Sequence, residues 1–472
     1  MFYFSFRDEY KWLRKNYNVD KVNREREKGG MYMEQESKKS SKMESRAMSR
    51  VSEAERQSWV SIAFLWIGTM ICIPMLMVGG MFSASMTLSN IVLAAFIGFF
   101  ICSFVMVLTG MQATDLGLPS AMCATKAFGD RGSSLLTSLV VFVAQMGWFG
   151  VQTATCATAF NTLMALVGIN VPFWISCIIW GAVMLITAVY GFTMMKILNY
   201  IAVPALVVLC IYGAYHAGSD MGLTAMMALV PETPLAMSAA ISTVIGLFAV
   251  GTVINCDYAR YAKSRKDAVK ATFIGVLPAA VMMITVGAVM AMSTGNYDIT
   301  SVFASMGMPA ISMLVLILAT WTTNTSNAYT SGLAAMKVFS LKDEKRPLVT
   351  MICGAIGTLI AIAGLADALS TFITVLSSFV PPIAGVMIAD YWIVGKGKPE
   401  NWYPIRGFNW NGILAWAIGS IVALKFSFFS PALDGIIVCC IAYVVLNGLF
   451  GKTAMAGKGK MSVEEAEESV SA

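Results

Sequence analysis

The spacing of basic residues after Arg56 constrains the fold of this chain more than any other feature of its sequence. Long apolar stretches separate one basic cluster from the next; most are about 65 to 70 residues long and the shortest is about 50. Each stretch has room for two membrane-spanning helices of about 20 residues and a turn. Lys425 is the one basic residue inside such a stretch. The clusters are Lys126 and Arg131, Lys196, Arg260 to Lys270, Lys337 to Arg346, Lys396 to Arg406, and Lys452 to Lys460.

The same clusters predict how the chain crosses the membrane. Lys and Arg are enriched in cytoplasmic loops, so placing every cluster in the cytoplasm makes each apolar stretch an out-and-back helical hairpin. Six hairpins give twelve spans and leave both termini in the cytoplasm. We predict spans at about residues 59–83, 88–112, 133–163, 171–190, 194–217, 236–256, 270–294, 308–338, 347–364, 367–395, 411–428 and 433–450.

The composition supports an all-α polytopic protein of the plasma (inner) membrane. The chain is 57% hydrophobic and 13% charged, whereas soluble domains are about 25% charged. Two thirds of the formal net charge of +6 belongs to residues 1–56, so the charge does not imply nucleic acid. We expect a polar, disordered cytoplasmic tail (1–56), a transport core (57–396), helices 11 and 12 (397–451) and a cytoplasmic C-terminal tail (452–472).

Two predicted spans are interrupted at corresponding places. The first contains Gly68 and Pro74, and the sixth contains Gly246 and Gly251. Gly and Pro in mid-span tolerate unwinding, and matching broken helices in two halves of a chain indicate an inverted-repeat secondary transporter. Spans one and six are five apart, which predicts a repeat of five helices. The alternative is that these are ordinary packing glycines of membrane helices.

A run of hydroxyl and amide side chains extends from Ala319 to Tyr329 in the eighth predicted span. Polar groups at membrane depth are costly unless they face a cavity or another helix. The run holds no Asp, Glu, Lys, Arg or His, so any ligand there must be held by lone pairs and amide dipoles. We interpret the run as the core of a small-molecule and cation site; the alternative is hydrogen bonding between helices.

Trp148 and Gln152 in the third span predict where a flat ligand binds. They are four residues apart and therefore share one helix face. An indole ring can stack on a flat heterocycle while a primary amide bonds to its edge. Phe248, in the break of the sixth span, is the candidate for the opposing ring. The alternative for any single aromatic residue here is packing in the core or against lipid.

The positions of the acidic residues favour sodium over protons as the coupling ion. Asp257 and Asp390 lie where helices six and ten meet the cytoplasm, and no predicted span has an Asp or Glu at its middle. Proton-coupled carriers usually need a titratable group at depth, whereas sodium needs only carbonyl and hydroxyl oxygens. The sequence lacks a Gly-rich phosphate loop for ATP and the residue clusters of an enzyme. No cofactor is expected besides the coupling sodium ion.

Four motifs occur in order along the chain: Gln145–Gly150, Asn255–Tyr261, Trp321–Asn324 and Pro381–Trp392. Together they resemble the nucleobase:cation symporter-1 family, most of all its cytosine permeases. The resemblance extends from about Trp59 to Leu449. It implies a twelve-helix LeuT-type fold, in which two inverted repeats of five helices, with helices 1 and 6 broken, precede two C-terminal helices. It also implies import of a nucleobase or a related ring.

The resemblance implies roles for individual residues. Sodium would lie between helices 1 and 8, held by the carbonyl oxygens of Gly68, Ile71 and Ala319 and the hydroxyls of Thr322 and Thr323. The stacking aromatics of the family fall on Trp148 and Phe248, and its helix-eight amide falls on Asn324.

Three positions depart from the cytosine permeases. Those proteins carry small hydroxyl residues where this chain has Leu247 and Val250, and an asparagine where it has Ala319. Gln152, in contrast, is placed like the substrate-reading glutamine of the hydantoin carrier of the family. These departures favour a ligand other than cytosine itself. Another pyrimidine, a purine, a hydantoin and a thiamine-precursor pyrimidine all fit.

The working hypothesis is a symporter that uses sodium to import a flat, uncharged nitrogen heterocycle. The ring would lie between Trp148 and Phe248, with Gln152 and Asn324 bonding its edge. The expected partners are this small molecule and the lipid bilayer, without nucleic acid or an obligate protein partner. Two alternatives stay open: proton coupling near Asp257 or Asp390, and a membrane transceptor that uses the N-terminal tail as its output.

Overall fold

The computed structural model describes residues 50–471 except 190–191, 306, 340, 342–344 and 427, with backbone only for residues 192–200 and 470–471. Residues 1–49, most of the predicted tail, lie outside the described residues. The described part of the chain is helical, and its β-structure is limited to two isolated β-bridges.

The helices follow the predicted spans closely, and every predicted span overlaps one helix or an adjacent pair. In the first half of the chain they are α1 (Trp59–Met70), α2 (Ile73–Ser83), α3 (Leu88–Leu116), α4 (Ser120–Cys123), α5 (Thr125–Phe128), α6 (Asp130–Ala165), α7 (Phe173–Val189), α8 (Phe192–Asp220), α9 (Leu223–Ala228), α10 (Met237–Leu247) and α11 (Gly251–Ala259). In the second half they are α12 (Arg265–Thr294), α13 (Ile299–Ser305), α14 (Pro309–Val338), α15 (Arg346–Ile362), α16 (Leu369–Phe379), α17 (Pro381–Ile388), α18 (Trp410–Lys425), α19 (Pro431–Phe450) and α20 (Val463–Ser471). A π-helical segment, Ala389–Val394, continues α17.

Among the described residues, six helical segments are long and apolar enough to cross a membrane. They are α3, α6, residues Ile201–Asp220 of α8, α12, the segment Leu369–Val394 that α16, α17 and the π-helical segment form, and α19. Three further apolar helices, α7, α15 and α18, are shorter.

Two helix pairs are bent at a short break, and each pair passes the same test of length and composition when it is taken together. The angle between α1 and α2 is 53°, and that between α10 and α11 is 41°. At the first break Cys72 is extended, with φ −146° and ψ 158°. Pro74 follows in the first turn of α2, where the N–H that proline lacks has no helical partner in any case. At the second break Phe248 leaves the helical conformation, with φ −123° and ψ 28°.

Packing between helices holds the first bent pair against α12 and the second against α3. Helix α14 runs along α6, and α12 packs against α1, α2 and α3. Gly79 shows how closely α2 approaches α12, because a Cβ atom there would lie 2.1 Å from the carbonyl oxygen of Ile284. Such close approach of helix backbones requires glycine. The second half of the first bent pair is therefore held by its backbone against α12.

Residues 50–56, which the sequence analysis assigned to the disordered tail, pack against the helices that follow. Val51 is buried, and its N–H donates to the carbonyl of Gly117 at 2.8 Å. The Nη1 atom of Arg56 donates to the carbonyls of Thr114 at 2.8 Å and Ala262 at 2.6 Å. These bonds join the segment to the ends of α3 and α11, so the packed structure includes residues before the predicted boundary.

The C-terminal segment is also structured. Helix α20 buries Ala466 completely, and Oε1 of Glu467 accepts a hydrogen bond from the Arg50 N–H at 3.1 Å. Arg406 and Glu465 form an ion pair at 3.2 Å. The two ends of the described chain therefore meet.

Candidate functional site

A cavity of about 750 Å³ lies beside both helix breaks. The predicted site residues that line it are Gly68, Ile71, Trp148, Gln152, Phe248, Ala319, Thr322 and Thr323. Asn324 is the one predicted site residue that does not line it. The structure thus brings together residues from α1, α6, α14 and the second break, which are far apart in sequence.

Each of the two predicted stacking rings is supported edge-on by another aromatic ring. The Trp148 indole meets Phe372 at a centroid distance of 5.3 Å and an interplanar angle of 77°, and Phe248 meets Trp66 at 5.7 Å and 89°. Gly147 makes room for the first contact, because a Cβ atom there would lie 2.4 Å from the Phe372 ring. Edge-to-face contacts of this kind restrain the rings, so the cavity has two braced aromatic walls.

Gln152 is a buried amide without a complete set of partners. Its side chain lines the cavity although the residue is only 1% exposed, and its Oε1 atom has no hydrogen-bond partner. An unpaired buried polar group costs about 1–3 kcal/mol. Such a group beside a cavity is suited to bonding a ligand that enters it.

Asn324 does not line the cavity, although the prediction assigns it a hydrogen bond to the ligand. It is fully buried, and its Nδ2 atom donates to the carbonyl of Phe149 at 3.0 Å and to Oγ1 of Thr153 at 2.9 Å. Asn327 lines the cavity instead. It lies one helical turn after Asn324, and spacing of three residues places both on one face; this was the signal in the sequence that could have identified it.

The oxygens of the predicted sodium site lie along the same cavity. The hydroxyls of Thr322 and Thr323 both donate to the carbonyl of Ala319, at 2.9 Å and 3.1 Å. At the first break the Cys72 N–H donates to Met70, at 3.0 Å, and not to Gly68, four residues earlier. The helical ladder therefore ends before the carbonyl of Gly68, which releases carbonyl groups at the break.

The two acidic residues considered for proton coupling lie in different surroundings. Asp257 lines the cavity, and its carboxylate accepts bonds from the N–H of Ser120 at 2.9 Å and its hydroxyl at 2.7 Å. Asp390 does not line the cavity. It is buried, and its Oδ1 atom lies 3.3 Å from Nζ of Lys126 and accepts a bond from the Tyr443 hydroxyl at 2.9 Å.

Apolar helices of spanning length, together with two bent helix pairs beside one cavity, define the chain as a helical membrane transporter. A family model described as "Permease for cytosine/purines, uracil, thiamine, allantoin" matches residues 50–446. The chain belongs to this permease family and is an integral membrane protein that transports. The resemblance to the nucleobase:cation symporter-1 family is confirmed.

Curated relatives share the family over most of their length. The chain is 28% identical to the cytosine permease of Escherichia coli (strain K12) over 420 residues, which cover 88% of this chain and 97% of the relative. It is also 28% identical to the hydantoin permease of Microbacterium maritypicum over 413 residues, which cover 79% and 81%.

Solved structures share the fold. The inward-facing conformation of Mhp1 superposes with a TM-score of 0.76 at 22% identity, covering 89% of this chain and 97% of that one. Mhp1 in a closed conformation with bromovinylhydantoin bound gives a TM-score of 0.72 at 23% identity, covering 90% and 99%.

Proposed function

We propose that this chain imports a flat, uncharged nitrogen heterocycle of the nucleobase or hydantoin kind by sodium symport. The observation that carries the proposal is the unpaired amide oxygen of Gln152, four residues from Trp148, at the cavity. A ring stacked on the indole can give its edge to this amide. Binding then supplies the hydrogen bond that Gln152 lacks.

The architecture we propose is twelve crossings built on two inverted repeats of five helices. Each bent pair counts as one crossing. The other ten crossings are the six long apolar segments, the three shorter apolar helices and α14. The bent pairs then occupy crossings one and six, five apart, and the last two crossings are α18 and α19. In this arrangement both termini lie in the cytoplasm with the basic clusters.

The ring is expected to lie between Trp148 and Phe248. Leu247 and Val250 give the wall beside Phe248 an apolar character, which offers few hydrogen bonds to exocyclic groups of a ligand. The amides of Gln152 and Asn327 supply the polar contacts. Relatives of this chain include a cytosine permease and a hydantoin permease, and the apolar wall together with Gln152 favours a ring other than cytosine.

Sodium is proposed to bind between α1 and α14, at the carbonyls of Gly68, Ile71 and Ala319 and the hydroxyls of Thr322 and Thr323. Each hydroxyl has one hydrogen, and both hydrogens point at Ala319. Their lone pairs are thereby left for a cation. A cation that also binds the carbonyl of Ala319 must displace at least one of these hydrogen bonds, which couples ion binding to a rearrangement on α14.

Proton coupling is the second candidate, because Asp257 is an acidic residue that lines the cavity. It would require that the Asp257 carboxylate accept a proton during the cycle. In this structure that carboxylate accepts two hydrogen bonds from Ser120, from its N–H at 2.9 Å and from its hydroxyl at 2.7 Å.

The test is uptake of labelled cytosine into proteoliposomes, with an imposed gradient of sodium or of protons. Uracil, hypoxanthine, hydantoin and hydroxymethylpyrimidine serve as competitors. We expect a sodium gradient alone to drive uptake, and one of the competitors to bind more tightly than cytosine. Uptake driven by a pH gradient in sodium-free medium, and lost in Asp257→Asn, would instead support proton coupling.

The stacking model is tested by Trp148→Ala. We expect this variant to lose about fivefold or more in affinity for the ring, since stacking on an aromatic is worth about 1–3 kcal/mol, while sodium binding is retained. The measurement is sodium-dependent uptake against ring concentration. Normal transport by this variant would rule out stacking on Trp148.

A further inference from the structure

We propose that Asn327 reads the edge of the transported ring, and that Asn324 is a positioning residue that fixes the direction in which the Asn327 amide faces. This inference rests on the proposed function, because it concerns the same cavity. It assigns the polar recognition on α14 to a residue that the sequence analysis did not single out.

The hydrogen bonds of Asn324 fix the orientation of its amide. Its amide lies against the main-chain carbonyl of Phe149, 3.0 Å from Nδ2. A carbonyl oxygen only accepts hydrogen bonds, so the NH2 group of Asn324 must face Phe149, and the flipped amide would place two oxygens in contact. The oxygen of Asn324 must therefore face the opposite way.

The orientation of the Asn324 amide fixes the orientation of the Asn327 amide. The Nδ2 atom of Asn327 lies 3.2 Å from Oδ1 of Asn324 and donates to it. Since that oxygen can only accept, the NH2 group of Asn327 is also fixed in direction. A backbone carbonyl on α6 thus determines the orientation of an amide at the cavity wall, through two hydrogen bonds.

The amide of Asn327 presents a hydrogen-bond donor and an acceptor to the cavity. Asn327 is 8% exposed and lines the cavity. One of its two amide hydrogens is used by Asn324, which leaves its carbonyl oxygen and the second hydrogen for a ligand. The complementary ligand edge is a ring N–H next to a ring C=O, as in lactams, cyclic ureas and imides. The inferred substrate class is a ring with such a cis-amide edge.

The hydrogen bonds that link Phe149, Asn324 and Asn327, here called the relay, also align the polar and aromatic parts of the site. Phe149 and Thr153, which accept from Asn324, each follow directly after Trp148 and Gln152 on α6. Any shift of α14 along α6 would therefore break the relay. The ring-stacking residue and the edge-reading residue are held in register by one set of hydrogen bonds.

The experiment measures binding to the purified full-length protein in detergent. Probes are uracil, cytosine and hydantoin, each compared with its derivatives methylated at one ring nitrogen. We expect at least one methylation site to weaken binding by about tenfold or more, because the methyl group leaves the Asn327 oxygen unpaired. The affinity ratio of parent to methylated ring is the readout.

Three variants separate positioning from packing. Asn327→Leu and Asn324→Leu keep the branched shape and the number of heavy atoms of asparagine, so steric exclusion of the methyl group stays; we expect the ratio to fall to about threefold or less in both. Thr187→Val is the matched control, because it removes another buried hydrogen bond of α14, from Nε1 of Trp321 at 3.1 Å. We expect it to leave the ratio unchanged.

Two outcomes would overturn the inference while leaving the proposed function intact. One is a parent-to-methylated affinity ratio that is unchanged in Asn327→Leu, while Trp148→Ala weakens the binding of every probe. The other is a ratio that falls as far in Thr187→Val as in Asn324→Leu, since general loosening of α14 would then explain it. If neither the parent rings nor their derivatives bind the wild-type protein, the proposed function fails together with the inference.

Discussion

Gln152 is buried at the cavity and its amide oxygen is unpaired. What favours folding at this position therefore differs from what favours binding. In the empty protein the unpaired amide oxygen destabilises the fold by about 1–3 kcal/mol. Functional sites commonly carry such costs. A ligand that donates to this oxygen removes the cost, so the same residue destabilises the empty protein and stabilises the complex.

We therefore predict that Gln152→Leu is more stable than the wild-type protein by about 1 kcal/mol and unfolds at a higher temperature. We expect its uptake to fall at least about tenfold. The measurements are thermal unfolding in detergent and uptake in proteoliposomes. Asn409→Leu is the control, because Asn409 is equally buried but both ends of its amide are paired: Nδ2 donates to the Lys126 carbonyl at 3.0 Å, and Oδ1 accepts from the Asn411 N–H at 3.2 Å. The control should lose stability. Destabilisation of equal size in both variants would contradict the prediction.

At the scale of elements, the two bent pairs determine where the cavity lies. Each pair ends its first helix beside the cavity and begins its second in a new direction. Gly246 lies just before the second break, where a Cβ atom would be 2.5 Å from the carbonyl oxygen of Ile373 on α16. Gly68, near the first break, has no atom within 4 Å of such a Cβ. The two glycines therefore have different physical roles.

We predict that Gly246→Ala loses about 1–3 kcal/mol of stability, because α10 must move away from α16. Gly68→Ala should be neutral or slightly stabilising, since alanine favours a helix more than glycine does, and its carbonyl remains for sodium. Thermal unfolding of both variants tests this. A Gly68→Ala variant that is destabilised as much as Gly246→Ala would show that chain flexibility at the breaks, and not helix packing, sets their stability.

At the scale of the whole molecule, the two ends of the described chain contact each other. Residues 50–56 bond to the ends of α3 and α11, and α20 bonds to Arg50. Residues 1–49 precede this contact. These residues lie outside the described part of the chain, so truncation is the test of the transceptor hypothesis.

We predict that a chain starting at Met48 keeps full uptake, whereas one starting at Ser58 loses about 1.5–3 kcal/mol or more of stability. The second truncation removes Arg56, whose guanidinium bonds two main-chain carbonyls, and hydrogen bonds of charged groups contribute about that amount. Uptake and thermal unfolding of both chains are the measurements. Loss of uptake in the chain that starts at Met48 would favour the transceptor hypothesis.

The docking of α20 should depend on pH through Glu467. Burial raises the pKa of the Glu467 carboxyl above its ordinary value, Arg50 opposes this, and Glu464 adds to it. A carboxyl with a raised pKa binds its proton more tightly in the folded state, so its stabilising effect is present at low pH and is lost as pH rises through the raised pKa. Glu467→Gln should therefore be more stable than wild type near neutral pH, and the difference should shrink on acidification. A difference in unfolding temperature that is constant with pH would contradict this.

The sequence by itself determined the class of protein, the helices and most of the site. Apolar length and the distribution of Lys and Arg are local properties that the bilayer selects, so the helix positions could be predicted closely. The motifs around Trp148, Gln152 and Thr322 named the family and eight of the residues that line the cavity. Only the tertiary structure showed that Asn327, and not Asn324, lines the cavity, and attached residues 50–56 to the core. The spacing of the two asparagines places them on one helix face but does not say which of them reaches the cavity. Both outcomes depend on how one helix packs against another and on hydrogen bonds between residues distant in sequence.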